Sequence, residues 1–265
     1  MSSSHVNNNR NNSDPNYFEE QEKWNRDVPS MKIKKGEYKL FCGIHAFNNL
    51  VGKRLLTKES VFDIIGVNVN ERPYHEGNFL NDELEFAINI LTDGKYTAFS
   101  DVLYMSRTNV NNANRMNFQS RLVDIFSEPA LVNKPDGGKY AMTEEIKEYI
   151  ANIYFLLLSV RRRIPELTGF ILQMSYGGGS MGHYVAIKKL RNGYVHIIDS
   201  MDKHNTYEPI PLFTENDSEF RKNCATFIKI LFKMASITFR TKKFGPPSHK
   251  YLQFIIVKPG GGANN

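Results

Sequence analysis

The chain has 265 residues, of which 41% are hydrophobic, enough for one well-packed domain but marginal for two. It contains no run of about 18 apolar residues, so the sequence predicts no membrane-spanning helix, and its first residues lack the basic and apolar regions of a secretory signal. The formal net charge of +6 fits a lysine-rich solvated surface better than a nucleic-acid site. Two cysteines are too few for a disulfide framework, which favours a reducing compartment: the cytoplasm, the nucleus or a host cytoplasm.

Composition divides the chain into three parts. Residues 1–28 are rich in Asn and Ser and poor in aliphatic residues, so they predict a disordered arm. Residues 29–258 are the predicted folded domain. Residues 259–265, which are mostly glycine and asparagine, predict a flexible tail.

Helical signals come first along the domain. Predicted helices begin at Cys42 (ending before Gly52), after Thr57 (reaching Ile65), at a cap on Asn81, after Thr143, and at about Ser218 (reaching Met234). Residues 101–140 are rich in Asn and predict no clear element. Predicted strands lie mostly later, at Phe170–Met174, His183–Leu190, Tyr194–Asp199, Ile237–Arg240 and Tyr251–Val257. This segregation predicts an α+β fold with an antiparallel sheet.

Cys42 lies where the first predicted helix begins. A free thiol is mostly protonated at neutral pH, but a helix N-terminus favours the thiolate because the first N–H groups have no intrahelical partner. Cys42 is therefore the candidate nucleophile. The alternative is a buried structural cysteine, since free cysteines are among the most buried residues.

A nucleophilic thiol needs a neighbouring base, and the chain has seven histidines. His183 follows the glycine-rich run 176–180 and begins an apolar strand, a position in which a loop gives access and a strand holds the side chain. It is the candidate general base. His45 is one helical step from Cys42, which is more typical of packing or of a local hydrogen bond.

Asp199 ends the next predicted strand and is the candidate residue that orients the imidazole of His183. With a two-residue turn between the strands, Ala186 would lie opposite Asp199, and the pair would be split between the two faces of the sheet. With a three-residue turn, 191–193, Val185 lies opposite Asp199, and His183 is its diagonal neighbour. The pair therefore requires the three-residue turn, in which Gly193 can take the left-handed position of a bulge, or an equivalent bulge.

At these residues the sequence resembles the Josephin family of deubiquitinating cysteine proteases. The run Cys42–Leu50 looks like the family pattern of Cys, two residues, His, two residues and Asn-Asn, and Gly77–Asn81 is similar to its Gly-Asn-Tyr motif. The stretches His183–Ala186 and Ile198–Ser200 resemble the paired strands that carry its base and its orienting residue. The stretch Phe254–Val257 resembles its last core strand.

The resemblance implies a papain-like fold in which an N-terminal helical part carries Cys42 and packs on an antiparallel sheet that carries His183. It implies hydrolysis of peptide or isopeptide bonds after the C-terminal glycine of ubiquitin or a ubiquitin-like protein, with Asp199 orienting the base and without a cofactor. The expected partners are ubiquitin, ubiquitin-like proteins and ubiquitinated substrates.

Three features depart from the family pattern. Glu37 occupies the place, five residues before the nucleophile, where the family usually has a glutamine that donates to the oxyanion, and an ionised carboxylate cannot donate. Residues of about 93–170 are longer than the family norm and predict an insertion. The hairpin between His183 and Asp199 is one residue longer.

Two other functions remain open. One is a papain-like protease that processes non-ubiquitin proteins, for example viral ones. The other, suggested by Glu37, is a catalytically weak ubiquitin-binding module. The spacing Cys42-x-x-His45 would be half of a metal site, but a four-ligand site needs a second pair, and Cys224 stands alone in the sequence, so no metal is expected.

Overall fold

The computed structural model describes residues 17–104 apart from 24, 26, 28–33, 37–38, 73–76 and 78, together with residues 144–175, 182–201, 207–238 and 251–261. In chain order these contain α1 (Cys42–Val51), α2 (Lys58–Ile65), α3 (Asn81–Leu91), β1 (Tyr96–Tyr104), α4 (Glu144–Arg161), β2 (Gly169–Ser175), β3 (Gly182–Lys189), β4 (Val195–Ile198), α5 (Asp217–Thr238) and β5 (Tyr251–Pro259). The predicted α+β class is confirmed.

The five strands form one sheet in the order β1-β5-β2-β3-β4, and every neighbouring pair is antiparallel. Both faces are covered. Alternate strand residues such as Ile171 and Ala186 pack under α1, α2 and α3, whereas Leu172 and Val185 pack under α4 and α5. The sheet is therefore the middle of three layers, and α1 lies across β3.

The first two helices begin and end as their sequences predict. Gly52 ends α1 in the left-handed conformation. Thr57 and Ser60 cap α2 reciprocally, each side chain accepting from the other's backbone N–H. The predicted cap of α3 is wrong, because Asn81 is its first helical residue and its side chain accepts a hydrogen bond from Tyr184 instead.

The two later helices bury the predicted faces. Cys224 and Leu231 of α5 and Leu157 of α4 are each fully buried. The strand predicted near Ile237–Arg240 is wrong at its first two residues, because α5 continues to Thr238. Extending a formed helix adds one hydrogen bond per residue, which outweighs the preference of β-branched side chains for strands. Residues 239 and 240 lie outside the described part of the chain.

Strand β1 was not predicted, and it lies at one edge of the sheet. Two side chains of α3 hydrogen-bond to the backbone groups along this edge. Asn89 pairs with both the N–H and the C=O of Ala98, and Glu85 accepts from the N–H of Ser100 (2.7 Å). The region predicted as an insertion, about 93–170, supplies β1 and also α4. Its described parts therefore belong to the sheet and to the core.

The predicted arm and tail both need correction at their inner ends. Residues 17–23, within the predicted arm of residues 1–28, lie against the folded domain, with Gln21 only 3% exposed. The tail predicted to begin at 259 does not, because β5 reaches Pro259 and the Gly260 N–H donates to Lys95 O (2.8 Å). Polar backbone contacts hold both segments without many aliphatic residues. Residues 1–16 and 262–265 lie outside the described residues.

None of the helices in the described ranges is both long enough and apolar enough to cross a membrane.

Candidate active site

Cys42 is the first residue of α1, and it is 3% exposed. The first hydrogen bond of the helix runs from the His45 N–H to Phe41 O (3.2 Å), so the N–H groups of residues 42–44 make no bond within the helix. The side chain of Phe41, at the N-cap position, makes no capping hydrogen bond. The beginning of α1 therefore presents backbone donors that favour a negative charge on or beside the Cys42 sulfur.

The turn before Cys42 is held by a close backbone contact. Gly77 has a φ of +110°, and a Cβ atom there would lie 2.5 Å from the Leu40 carbonyl carbon and 2.7 Å from the Phe41 nitrogen. Only a residue without a side chain fits so close to that peptide. The Phe41 ring also packs on Phe79, with ring centroids 5.9 Å apart. The Gly77–Asn81 motif thus supports the backbone that precedes Cys42.

His183 and Asp199 form a buried pair. His183 Nε2 lies 2.7 Å from Asp199 Oδ1, and both residues are at most 2% exposed. Asp199 Oδ1 also accepts from the Met201 N–H (2.9 Å). Because Nε2 of the imidazole is used by Asp199, Nδ1 is the ring atom left for Cys42, which is near enough to contribute to the raised pKa of His183. The structure therefore brings together all three residues that were singled out from the sequence.

The register that joins this pair is the predicted one. Ala186 lies opposite Ile198, so Val185 comes opposite Asp199, and the turn contains three residues, 191–193. Gly193 has a φ of +76°, as predicted, and Asn192 is left-handed too. A Cβ atom on Gly193 would lie 2.3 Å from Phe213 O, so this turn also packs against the chain beyond β4.

The charge of the imidazole is set by two opposing effects. Burial disfavours the imidazolium and by itself would lower the pKa of His183. The Asp199 carboxylate outweighs it, through its charge and its hydrogen bond, and Cys42 adds to the effect, so the pKa of His183 is raised. The site therefore favours a protonated imidazole beside the sulfur.

Tyr184 connects the base strand to α3. Its hydroxyl donates to Asn81 Oδ1 (2.5 Å) and lies 3.2 Å from Phe79 O. Burial and the nearby Cys42 charge raise the pKa of this phenol, which keeps it a donor. Tyr184 thereby ties the neighbour of His183 to the motif that packs against the turn before Cys42.

Gln21 links the segments that follow Asp199 and precede Cys42, and the sequence analysis missed it. Its N–H donates to Ser200 O (2.9 Å), its side-chain oxygen accepts from the Ser200 hydroxyl (3.2 Å), and its Nε2 donates to Lys39 O. Gln21 therefore bridges the chain just after Asp199 and the chain just before Cys42.

A signal for Gln21 was present in the sequence. The aromatic pair Tyr17-Phe18 precedes it within a run otherwise rich in polar residues. Phe18 packs against the core beneath α1, which fits a docked segment better than a disordered one. Glu37, considered in the sequence analysis for the oxyanion position, lies outside the described residues.

His45 and Cys224 are not part of the triad. The His45 ring faces Glu19, with Nδ1 3.4 Å from Oε1, as expected for a local contact. Cys224 is fully buried in the core under α5, and burial raises the pKa of its thiol, so it stays protonated and unreactive. Among the residues that the structure describes, no three His, Cys, Asp or Glu side chains are grouped so as to hold a metal ion.

Comparison of the chain with models of known protein families gives no match, and comparison with curated proteins gives no significant match either.

Proposed function

We propose that the chain is a Josephin-like cysteine protease that hydrolyses peptide or isopeptide bonds after the C-terminal glycine of ubiquitin or a ubiquitin-like protein. One observation carries the reaction type: Cys42 begins a helix without a side-chain cap, and this helix packs on the strand β3 that holds His183 in its buried pair with Asp199. The substrate class rests on the resemblance of the Cys42–Leu50 and Gly77–Asn81 motifs. The papain-like arrangement of the fold is part of the same proposal.

In the proposed reaction, His183 takes the proton of Cys42, and the thiolate attacks the carbonyl carbon of the scissile bond. A carbon–sulfur bond forms as the carbonyl oxygen becomes an oxyanion. When the tetrahedral intermediate collapses, the carbon–nitrogen bond breaks, and His183 returns the proton to the leaving amine. Water, deprotonated by His183, then attacks the thioester and releases the acid and the Cys42 thiol. Asp199 keeps the imidazole oriented throughout.

The oxyanion needs donors that are already in place. The Cys42 N–H at the beginning of α1 is one, and we assign the second to the side-chain amide of Gln21. An amide nitrogen carries two hydrogens, and Lys39 O accepts one of them. In this proposal the other is donated to the substrate oxygen at Cys42. Gln21 would thus supply the donor that Glu37 cannot.

The test is a ubiquitin whose C-terminus carries an electrophile that adds to a thiol. The wild-type chain should form a covalent adduct, Cys42→Ser should not, and Cys224→Ser should form it normally, because Cys224 lies in the core. Binding without an adduct would favour a ubiquitin-binding module. Neither binding nor an adduct, together with Cys42-dependent cleavage of other proteins, would favour a protease of different substrates. Either result would overturn the proposal.

A further inference from the structure

Glu19 hydrogen-bonds the N-terminal segment, residues 17–23, to α1. The Glu19 N–H donates to Asn49 Oδ1 (2.6 Å), and Asn49 Nδ2 donates back to Glu19 O (3.1 Å). One side-chain amide thereby makes the two bonds that a neighbouring β-strand would make. Asn49 is fully buried, and a buried amide is costly unless both its ends are bonded. It is bonded here by this segment.

The carboxylate of Glu19 adds a second attachment. Asn48 Nδ2 donates to Glu19 Oε2 (2.7 Å), and the His45 ring and Arg54 Nε lie 3.4 and 3.6 Å from Oε1. Burial opposes the charge of Glu19, but its contacts with His45 and Asn48 outweigh that effect and lower its pKa, so the carboxylate is ionised at neutral pH. His45, Asn48 and Asn49 of the Cys42–Leu50 motif therefore each contact Glu19, and Asn48 also bonds the backbone of Leu55 and Leu56.

We propose that Glu19 and Asn49 are positioning residues that hold Gln21 at the oxyanion site, an inference that rests on the proposed function. In an extended segment, side chains two residues apart point to the same side, about 7 Å from each other. Fixing Glu19 on α1 therefore places the side chain of Gln21 toward the beginning of the same helix. Gln21 then bonds Ser200 and Lys39 on either side of Cys42.

Chain connectivity alone does not hold Gln21 there. Residues 22–41 lie between Gln21 and Cys42, so the donor and the nucleophile are joined by a long stretch rather than by one tight turn. The position of the donor depends on non-covalent contacts, among them those of Glu19, two residues before Gln21, and those of Glu22, whose carbonyl accepts from the Lys39 N–H (2.9 Å). Loss of these contacts should remove the donor while leaving the thiol and its base in place.

The test is a double-mutant cycle of Glu19→Ala and Gln21→Ala on cleavage of a ubiquitin C-terminal fluorogenic amide. Removing one oxyanion donor lowers kcat by about 100- to 1000-fold, and we expect each single variant to approach this loss with little change in KM. If Glu19 acts through Gln21, the double variant is no slower than Gln21→Ala alone. Glu19→Gln should recover much of the rate, because it keeps an acceptor for Asn48.

Two further measurements separate positioning from a general loss of structure. Alkylation of Cys42 by iodoacetamide forms no oxyanion, so its rate should be unchanged in Glu19→Ala. Asn49→Ala, which removes the two bonds to the Glu19 backbone that Glu19→Ala leaves in place, should also lower kcat. Additive losses in the double variant, or slower alkylation of Cys42 in Glu19→Ala, would overturn the inference.

Amide hydrogen exchange distinguishes this inference from the proposed function. Glu19→Ala should speed exchange of the Gln21 N–H, which is bonded to Ser200 O, whether or not the chain turns over ubiquitin. Unchanged exchange would overturn the positioning role alone. A wild-type chain that cleaves no ubiquitin substrate, with exchange still accelerated in the variant, would overturn the proposed function while leaving the attachment through Glu19 in place.

Discussion

Replacing Gly77 by alanine should inactivate the chain more than it destabilises it. The added Cβ atom would lie 2.5 to 2.7 Å from three backbone atoms of Leu40 and Phe41, whereas unstrained contacts lie at about 3.5–4.0 Å. The Leu40–Phe41 peptide must therefore shift by about 1 Å, and Cys42 is the next residue. A displacement of about 1 Å at a reacting group costs about 100-fold in rate. The φ of +110° adds a strain of about 1–3 kcal/mol to folding.

The assay is kcat/KM on the ubiquitin C-terminal amide, with thermal unfolding to confirm that the variant is folded and iodoacetamide alkylation to report on the thiol itself. Gly66→Ala is the matched control, because Gly66 has a φ of +76° but no atom within 4 Å of an added Cβ. It should lose some stability and keep full activity. A folded Gly77→Ala with wild-type kcat/KM and a normal alkylation rate would refute the claim that this contact positions Cys42.

Two other predictions concern the buried polar pairs. The His183 pKa is raised in the folded chain, so the stabilisation by Asp199 is complete below the unfolded pKa of about 6.5 and is lost as the pH rises through the raised value. In urea titrations, the difference in free energy of unfolding between the wild type and Asp199→Asn should therefore shrink from about pH 6 to about pH 9, and a constant difference would contradict the pairing. Tyr184→Phe removes the hydroxyl that donates to Asn81 Oδ1 and lies 3.2 Å from Phe79 O, so unfolding should become easier by about 1–3 kcal/mol, whereas an unchanged urea midpoint would show that water replaces the hydroxyl.

The hairpin at the site could be predicted because few alternatives were open. Side chains along a strand alternate between the two faces of the sheet, so each register places His183 and Asp199 either on the same face or on opposite faces. The length of the turn between β3 and β4 therefore decides whether the two side chains can meet. The turn sequence 191–193 contains asparagine and glycine, the residues that most readily adopt left-handed conformations. Local sequence rules were therefore enough to predict this hairpin. They were also enough to place Cys42 at the beginning of a helix, because a glycine marks the other end of that helix.

What escaped the sequence depends on partners far along the chain. Strand β1 carries an exposed Phe99 and a polar Ser100, and its edge is completed by side chains of α3, which no strand periodicity reveals. Gln21 is bonded to Ser200, 179 residues away, and its neighbour Glu19 is bonded to the Asn49 amide on α1. The composition of residues 17–23 indicates only the conformational entropy that is lost when they become ordered. It does not show the hydrogen-bond donors and acceptors elsewhere in the chain that offset this loss.

The strand order has a consequence for how the protein is made. Strand β5 lies between β1 and β2, yet it is synthesised after all the other described strands. Until residues 251–259 have left the ribosome, β1 and β2 have no partner between them, and the apolar side chains on both of their faces lack a finished core. The sheet of the nascent chain therefore stays incomplete, and the surface under Cys42 and His183 is completed only after β5 has been synthesised. We expect premature termination before β5 to yield an aggregating product rather than a partly active one.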